Sequence, residues 1–250
     1  MDEVLIALGW PVRPCYRLLL IGHIVVLTAA FTIGGYALAR PFGDRMGVVE
    51  ALLWLPWLLW LGYLFPAHHL RAVAAGVPHA YRQAFYLHIA PGISWNFAQM
   101  ARPALAGLDS DGLAGLRLVP VTVGVVLAAV GGLMIGAALR VIGVARALFL
   151  GEYQESTRRL VTSGIYSWLR HPLFVGGIVV SLGFGVFFLH AGPLGMALAN
   201  LVVLPVYLIL EDARCRKVHA AYRRYQRDVR GALPILAPTR WTYRKIRARP

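Results

Sequence analysis

Arg170-His171-Pro172 closes a polar loop and lies directly against the start of a long uncharged stretch. An ionisable pair at the mouth of a transmembrane helix is costly to desolvate and marks a functional site by default. The pattern suits a cofactor site built at a membrane surface. Further on, Glu211, Cys215, Val218, Tyr222, Tyr225 and Val229 follow at steps of 4, 3, 4, 3 and 4 residues, which predicts one stripe of a single helix. Arg214, Arg216, Arg223, Arg224 and Arg227 mostly take its other faces. Such a stripe would turn a carboxylate, a thiol and two phenols toward the body of the protein. Two plainer roles fit the same residues: tyrosines as amphipathic interface anchors, and Glu211 as the partner of a loop arginine. Gly231-Ala-Leu-Pro234 supplies the stop.

The elements that must position these residues are membrane helices. Of 250 residues, 58% are hydrophobic and only 14% charged, and the mean hydropathy is +0.63, which excludes an ordinary soluble domain. Crossing a bilayer takes about 20 apolar residues. Uncharged runs of that length occupy 18–39, 118–139 and 172–210, with a shorter one at 51–65. The last long run is interrupted by His190-Ala-Gly-Pro193 and predicts a helical hairpin with a tight turn. The fold expected is therefore all-α: a polytopic integral membrane protein of about five transmembrane helices with a cytosolic C-terminal amphipathic helix. Segment 84–100 carries Pro91-Gly92, His88, Asn96 and Gln99, and is expected to be interfacial or re-entrant. No cleavable signal is expected, because Met1-Asp2-Glu3 is acidic and Gly9-Trp10-Pro11 interrupts the first apolar stretch.

Basic residues in short loops tend to stay cytosolic. Arg140, Arg146, Arg158, Arg159 and Arg170 precede the hairpin and a denser set follows it, so both regions are expected on the cytosolic face, in the inner membrane if the source is bacterial. Four arginines between 71 and 117 sit badly with five spans. The net charge of +14 suits juxtamembrane attraction to anionic lipid; no nucleic-acid motif accompanies it. On five spans Cys15 and Cys215 fall on opposite sides and cannot pair. His68, His69, His79 and His88 match no ligand spacing, so no metal is expected. Trp54, Trp57 and Trp60 read as a packed or lipid-facing stripe. Gly132-Leu-Met-Ile-Gly136 reads as a close-packing motif, within the chain or between copies.

Gly164-Ile-Tyr166, Arg170-His171-Pro172, Gly176 and, beyond the hairpin, Glu211, Tyr222, Tyr225, Val229 and Leu233-Pro234 resemble the C-terminal signature of the isoprenylcysteine carboxyl methyltransferase and phospholipid N-methyltransferase superfamily. The spacing carries the resemblance: the acid lies eleven residues before the first tyrosine, the second follows three later, and the proline nine beyond that. Gly151-Glu152-Tyr153 is similar to the start of that region. The resemblance implies an integral membrane enzyme that binds S-adenosylmethionine between the loop and the cytosolic helix, with a lipophilic methyl acceptor entering from the bilayer. It implies cofactor contacts at Leu160, Val161, Gly164, Ile165, Tyr166, Arg170, His171, Pro172, Gly176, Glu211, Tyr222 and Tyr225. Arg170, His171 and Glu211 would carry the catalytic roles: Arg170 as a donor to the cofactor carboxylate, Glu211 holding its hydroxyl or amino groups, and His171 shaping the pocket or, when neutral, deprotonating the acceptor. Residues 140–236 would form the cofactor region, 1–139 the acceptor side, and 237–250 a basic tail.

The chain departs from that pattern at three places. Phe174 replaces a tyrosine, His219 a common glycine, and Glu211-Asp212 leaves Leu210 where another Glu is usual, which puts a second carboxylate's role in doubt. Asp212, Arg214 and Cys215 also have some likeness to a sterol-reductase-like, nicotinamide-dependent enzyme, and a non-catalytic membrane scaffold is the third reading.

Overall fold

The computed structural model describes residues 1–67, 80–109, 117–153 and 159–229. Among these, all regular structure is helical, which bears out the all-α expectation. Helix α1 is Asp2–Leu8, α2 is Pro14–Ala39 and α3 is Met46–Leu59, the last continuing through a wide turn at Trp60–Leu64. Helix α4 runs over 80–109, α5 is Leu118–Ile142, α6 is Pro172–Phe188, α7 is Ala191–Val218 and α8 is Tyr222–Asp228. By length and composition, 14–67, 118–142 and 191–217 are apolar enough to cross a membrane, and 172–188 is a shorter apolar helix. The first stretch folds back on itself at Arg40–Arg45, where Gly43 takes a φ of 51°. Side chains such as Val26, Ile33, Leu55, Leu133, Val202 and Ile209 are exposed around the outside, as lipid-facing residues are.

The hairpin forms where the sequence places it. Pro172 opens α6 at its first turn, where a missing N–H costs nothing, and Leu189, with φ 49°, and His190 connect it to α7. The close packing uses other glycines than the motif read from the sequence. A Cβ on Gly131 of α5 would lie 2.5 Å from the Gly176 carbonyl of α6, and one on Gly124 would lie 2.7 Å from that of Gly183. Gly132 and Gly136 have nothing within 4 Å, so the intramolecular reading of that motif is overturned.

The larger correction concerns 84–100. Instead of an interfacial or re-entrant piece, it is the middle of α4, about 45 Å long at 1.5 Å per residue, and α4 packs against α2, α6 and α7. Helices α2 and α4 run in the same direction. Ser94 Oγ donates to the Ile24 carbonyl at 3.2 Å, Arg102 to that of Phe31 at 3.4 Å, and Asp109 accepts from Tyr36 at 2.5 Å. A buried ion pair hid this in the sequence. Arg102 forms a two-pronged pair with Glu50 of α3, at 2.6 and 2.9 Å, and both side chains are 0% exposed. Each charge reads as a boundary in the sequence, yet together they form a neutral unit inside the bundle.

Among the described residues six long helices thus lie side by side, an even number. Both ends of the described chain therefore meet at one end of the bundle, with Gly9 beside Arg82 and Met1 sharing a cavity with Tyr222. Cys15 and Cys215 consequently fall toward that same end, contrary to the five-span expectation. The misplaced arginines also resolve: Arg82 is exposed at that end, Arg102 is paired in the core, Arg117 begins α5 at the other end, and Arg71 lies outside the described residues.

Candidate active site

The polar loop reaches the bundle through backbone turns that few sequences allow. Gly143 ends α5 with φ 78° and Gly164 starts a short 3-10 turn, Gly164–Ser167, with φ 58°. Both angles favour glycine. A Cβ on Gly164 would also meet Val141 at 2.8 Å, so the turn lies close on α5. It buries Tyr166, whose carbonyl accepts a hydrogen bond from the Tyr225 hydroxyl at 2.6 Å. His171 is the residue before the first turn of α6, which fixes Arg170 and His171 at that helix's mouth.

Asp212 joins these parts. Its carboxylate accepts from Arg170 at 3.0 Å, from the Tyr222 hydroxyl at 2.5 Å and from Gln226 at 2.9 Å, and lies 2.7 Å from His171 Nε2. An ionised carboxylate only accepts, so the His171 proton belongs on Nε2 and the imidazole keeps Nδ1 free for other work. Arg170 also donates to the Val229 carbonyl at 2.7 Å. The polar loop, α7 and α8 are therefore held by one charge-assisted network. Arg170 Nε is buried with no partner among the described residues. The second carboxylate, whose role the sequence left in doubt, is the junction of the site.

Glu211 points elsewhere. It is buried and pairs with Arg214 through both oxygens, at 2.8 Å for one of them, and Cys215 Sγ lies 3.7 Å from it. The Arg214 guanidinium rests 4.6 Å from the Phe149 ring centre. The single-helix stripe is overturned: α7 ends at Val218, His219 is extended (φ −120°, ψ 109°), and α8 starts afresh at Tyr222. That break turns Tyr222 and Tyr225 back over α7, so the acid, the thiol and both phenols still face one space. Burial, more than any charge, pushes the phenols of Tyr166, Tyr222 and Tyr225 above their ordinary range, so they stay neutral.

That space is a cavity of about 420 Å³, within the size range of small-molecule sites. Of the residues expected at the cofactor, Leu160, Val161, Tyr166, Arg170, His171, Glu211, Tyr222 and Tyr225 line it. Gly164, Ile165 and Pro172 shape the backbone around it without lining it, and Gly176 lies in the α5–α6 seam instead. Arg146, Phe149, Arg159 and Arg214 join the polar mouth unforeseen; of these, only Arg214, three residues after Glu211 on one helix, carried a legible signal. The inner wall comes from the N-terminal half, through Leu20, Ile24, Trp57, Asn96 and Phe97. A shallow and almost wholly apolar groove shares Ile24, Val25 and Phe97 with the cavity and runs on past Met100 and Ile135 to Phe184.

Residues 119–220 match the family model of the phospholipid methyltransferases. The matched stretch runs from the start of α5 to just before α8, and the family it resembles lies in the isoprenylcysteine carboxyl and phospholipid methyltransferase superfamily. The match supports a membrane methyltransferase in general. The comparisons with curated proteins and with solved structures give no match.

Proposed function

We propose that this chain is an integral membrane methyltransferase that uses S-adenosylmethionine and acts on a lipophilic or membrane-partitioning acceptor. One observation carries the reading: the family-matched region supplies the polar mouth of a cavity whose inner wall is largely apolar and continuous with a groove on the bundle's outside. A water-soluble cofactor and a lipid-soluble acceptor need such a two-sided space.

The donor set suits the cofactor. A sulfonium is a cation, and the Glu211 carboxylate and the rings of Tyr166, Tyr222 and Tyr225 are the groups that favour one. The unpartnered Arg170 Nε and the exposed Arg159 are donors for a carboxylate. Leu160, Val161, His171 and the turn from Gly164 to Tyr166, with Pro172 behind it, would enclose the adenosine. When bound, S-adenosylmethionine supplies an already activated methyl group. The protein's part is to hold the acceptor atom in line and exclude water. Should the acceptor need to lose a proton, His171 Nδ1 is the free base, with Asp212 holding the ring's other nitrogen. The acceptor would enter along the groove between α2 and α5. Arginines at the site end, among them Arg13, Arg17, Arg82, Arg146 and Arg159, outweigh Arg40, Arg45 and Arg117 at the other, which supports a cytosolic site.

The test is equilibrium binding of tritiated S-adenosylmethionine to the purified full-length protein, with methyl incorporation into a total lipid extract as the second readout. Wild type binds and labels lipid; Glu211→Gln loses at least about tenfold in affinity, as removal of a buried charged partner implies. Absence of binding by the folded wild type would contradict the proposal.

A further inference from the structure

Within the bundle several polar side chains find partners, although both side-chain polar atoms of buried Gln99 have none among the described residues. Trp54 Nε1 donates to Asn200 at 2.7 Å, Trp95 Nε1 to the Leu53 carbonyl at 3.0 Å, Ser94 to Ile24, and Arg102 to Glu50. At the inner end of the cavity unpartnered groups gather in one place. Trp57 Nε1 and Asn96 Nδ2 have no hydrogen-bond partner among the described residues, although the two residues are 2% and 5% exposed and both line the cavity. Just behind them, Trp60 Nε1 and the Tyr207 hydroxyl are equally unpartnered. These are neighbours: Trp57 stacks on Trp60 with ring centres 4.6 Å apart and on Tyr207 at 6.0 Å. Gly92, one turn before Asn96, lies so close that a Cβ would meet both indoles at 2.8–3.0 Å.

An orphaned donor away from water is destabilising, and two side by side on a cavity wall call for an occupant. The chemistry narrows what it is. An indole N–H can only donate, as can the Nδ2 of a carboxamide, so the occupant must present an acceptor. No cation among these side chains would offset a buried anion, which is costly in such surroundings. A neutral carbonyl is the strong acceptor that remains.

We propose that the inner limb of the cavity is a donor-lined subsite that takes a carbonyl oxygen of the lipophilic acceptor, with Trp57 and Asn96 as its specificity-determining residues. The acceptor is thus an oxygenated lipid, carrying an ester, ketone or quinone group, rather than a plain hydrocarbon chain. The proposal rests on the cavity being the acceptor's site. Its chemistry is independent of the cofactor's, so the two can fail separately.

Two probes of equal chain length decide it, methyl oleate and 9-octadecene, titrated onto the full-length protein at a fixed detergent mole fraction. Wild type should bind methyl oleate about tenfold more tightly than the hydrocarbon, beyond their difference in partitioning, for one buried donor satisfied. Trp57→Phe and Asn96→Leu should each remove most of that preference while leaving 9-octadecene unchanged. Equal affinity of wild type for the two probes, which also results if only water satisfies the donors, would overturn the subsite. So would variants that weaken both probes alike. The wild-type comparison stands alone if a variant fails to fold. A preference for methyl oleate in protein that does not bind tritiated S-adenosylmethionine would keep the subsite and reject the methyltransferase.

Discussion

Arg170 illustrates what a residue type means only in place. Sequence reading gave it the cofactor's carboxylate, yet two of its three nitrogens hold Asp212 and the Val229 carbonyl, leaving Nε for other work. Its partners lie in different directions, which a fork can serve and a point charge cannot. Arg170→Lys should therefore lose cofactor affinity nearly as fully as Arg170→Ala, by equilibrium binding; rescue by Lys would show that charge alone is needed. Asp212→Asn should cost affinity about tenfold or more while the protein stays inserted, because three donors and His171 would lose their charged acceptor. The acid in the sequence with the clearest family likeness was Glu211. Its neighbour's role as junction was illegible, since its partners come from two separate places, Arg170 and His171 from the end of the polar loop and Tyr222 and Gln226 from α8.

The elements divide into those the chain writes plainly and those it conceals. Runs without charge gave α2, α5 and the α6–α7 hairpin to within a few residues. Helix α3 was shortened, because Glu50 ended the apolar run, and α4 was misread, because Arg102, Asn96, Gln99 and Pro91-Gly92 imitate an interface. Charge neutralisation by a partner 52 positions away leaves no local signal. Removing one member of the Glu50–Arg102 pair should strip roughly 3–5 kcal/mol of stability, while replacing both with Leu and Met should be close to neutral; thermal unfolding in detergent checks both. Helix seams give a matched pair of tests. Gly131→Val puts carbon against the Gly176 backbone and should unfold or splay the hairpin, whereas Gly132→Val meets nothing within 4 Å and should be silent. Docking of α8 carries a pH signature. Tyr222 has its pKa raised above 10.0, chiefly by burial and also by its bond to Asp212. Its contribution is complete below pH 10 and is lost as pH climbs above that, so tryptic cleavage in α8 should rise only in strong alkali.

At the scale of the molecule, the even number of long helices among the described residues changes the topology. Five apolar runs placed Cys15 and Cys215 on opposite sides; six parallel and antiparallel helices bring them to one. A membrane-impermeant maleimide should label exposed Cys15 from the side that carries the site, and the thiol introduced by Asp44→Cys from the other. Labelling of both from one side would contradict the six-helix arrangement. The chain-wide hydropathy was enough to identify a membrane protein, and the motif residues Arg170 and His171 lie at the mouth of the cavity. Its inner wall was hidden because leucines, isoleucines and tryptophans that line a cavity look no different from those that fill a core.

Everything turns on whether the mouth beneath α8 holds the methyl donor. Tritiated S-adenosylmethionine crosslinked to the purified protein by ultraviolet light, followed by peptide mapping, addresses this directly. Label should fall on peptides containing Tyr166, Tyr222 or Tyr225 and be competed away by excess unlabelled cofactor. Label that is absent, or confined to the opposite end near Arg40–Arg45, would contradict the assignment.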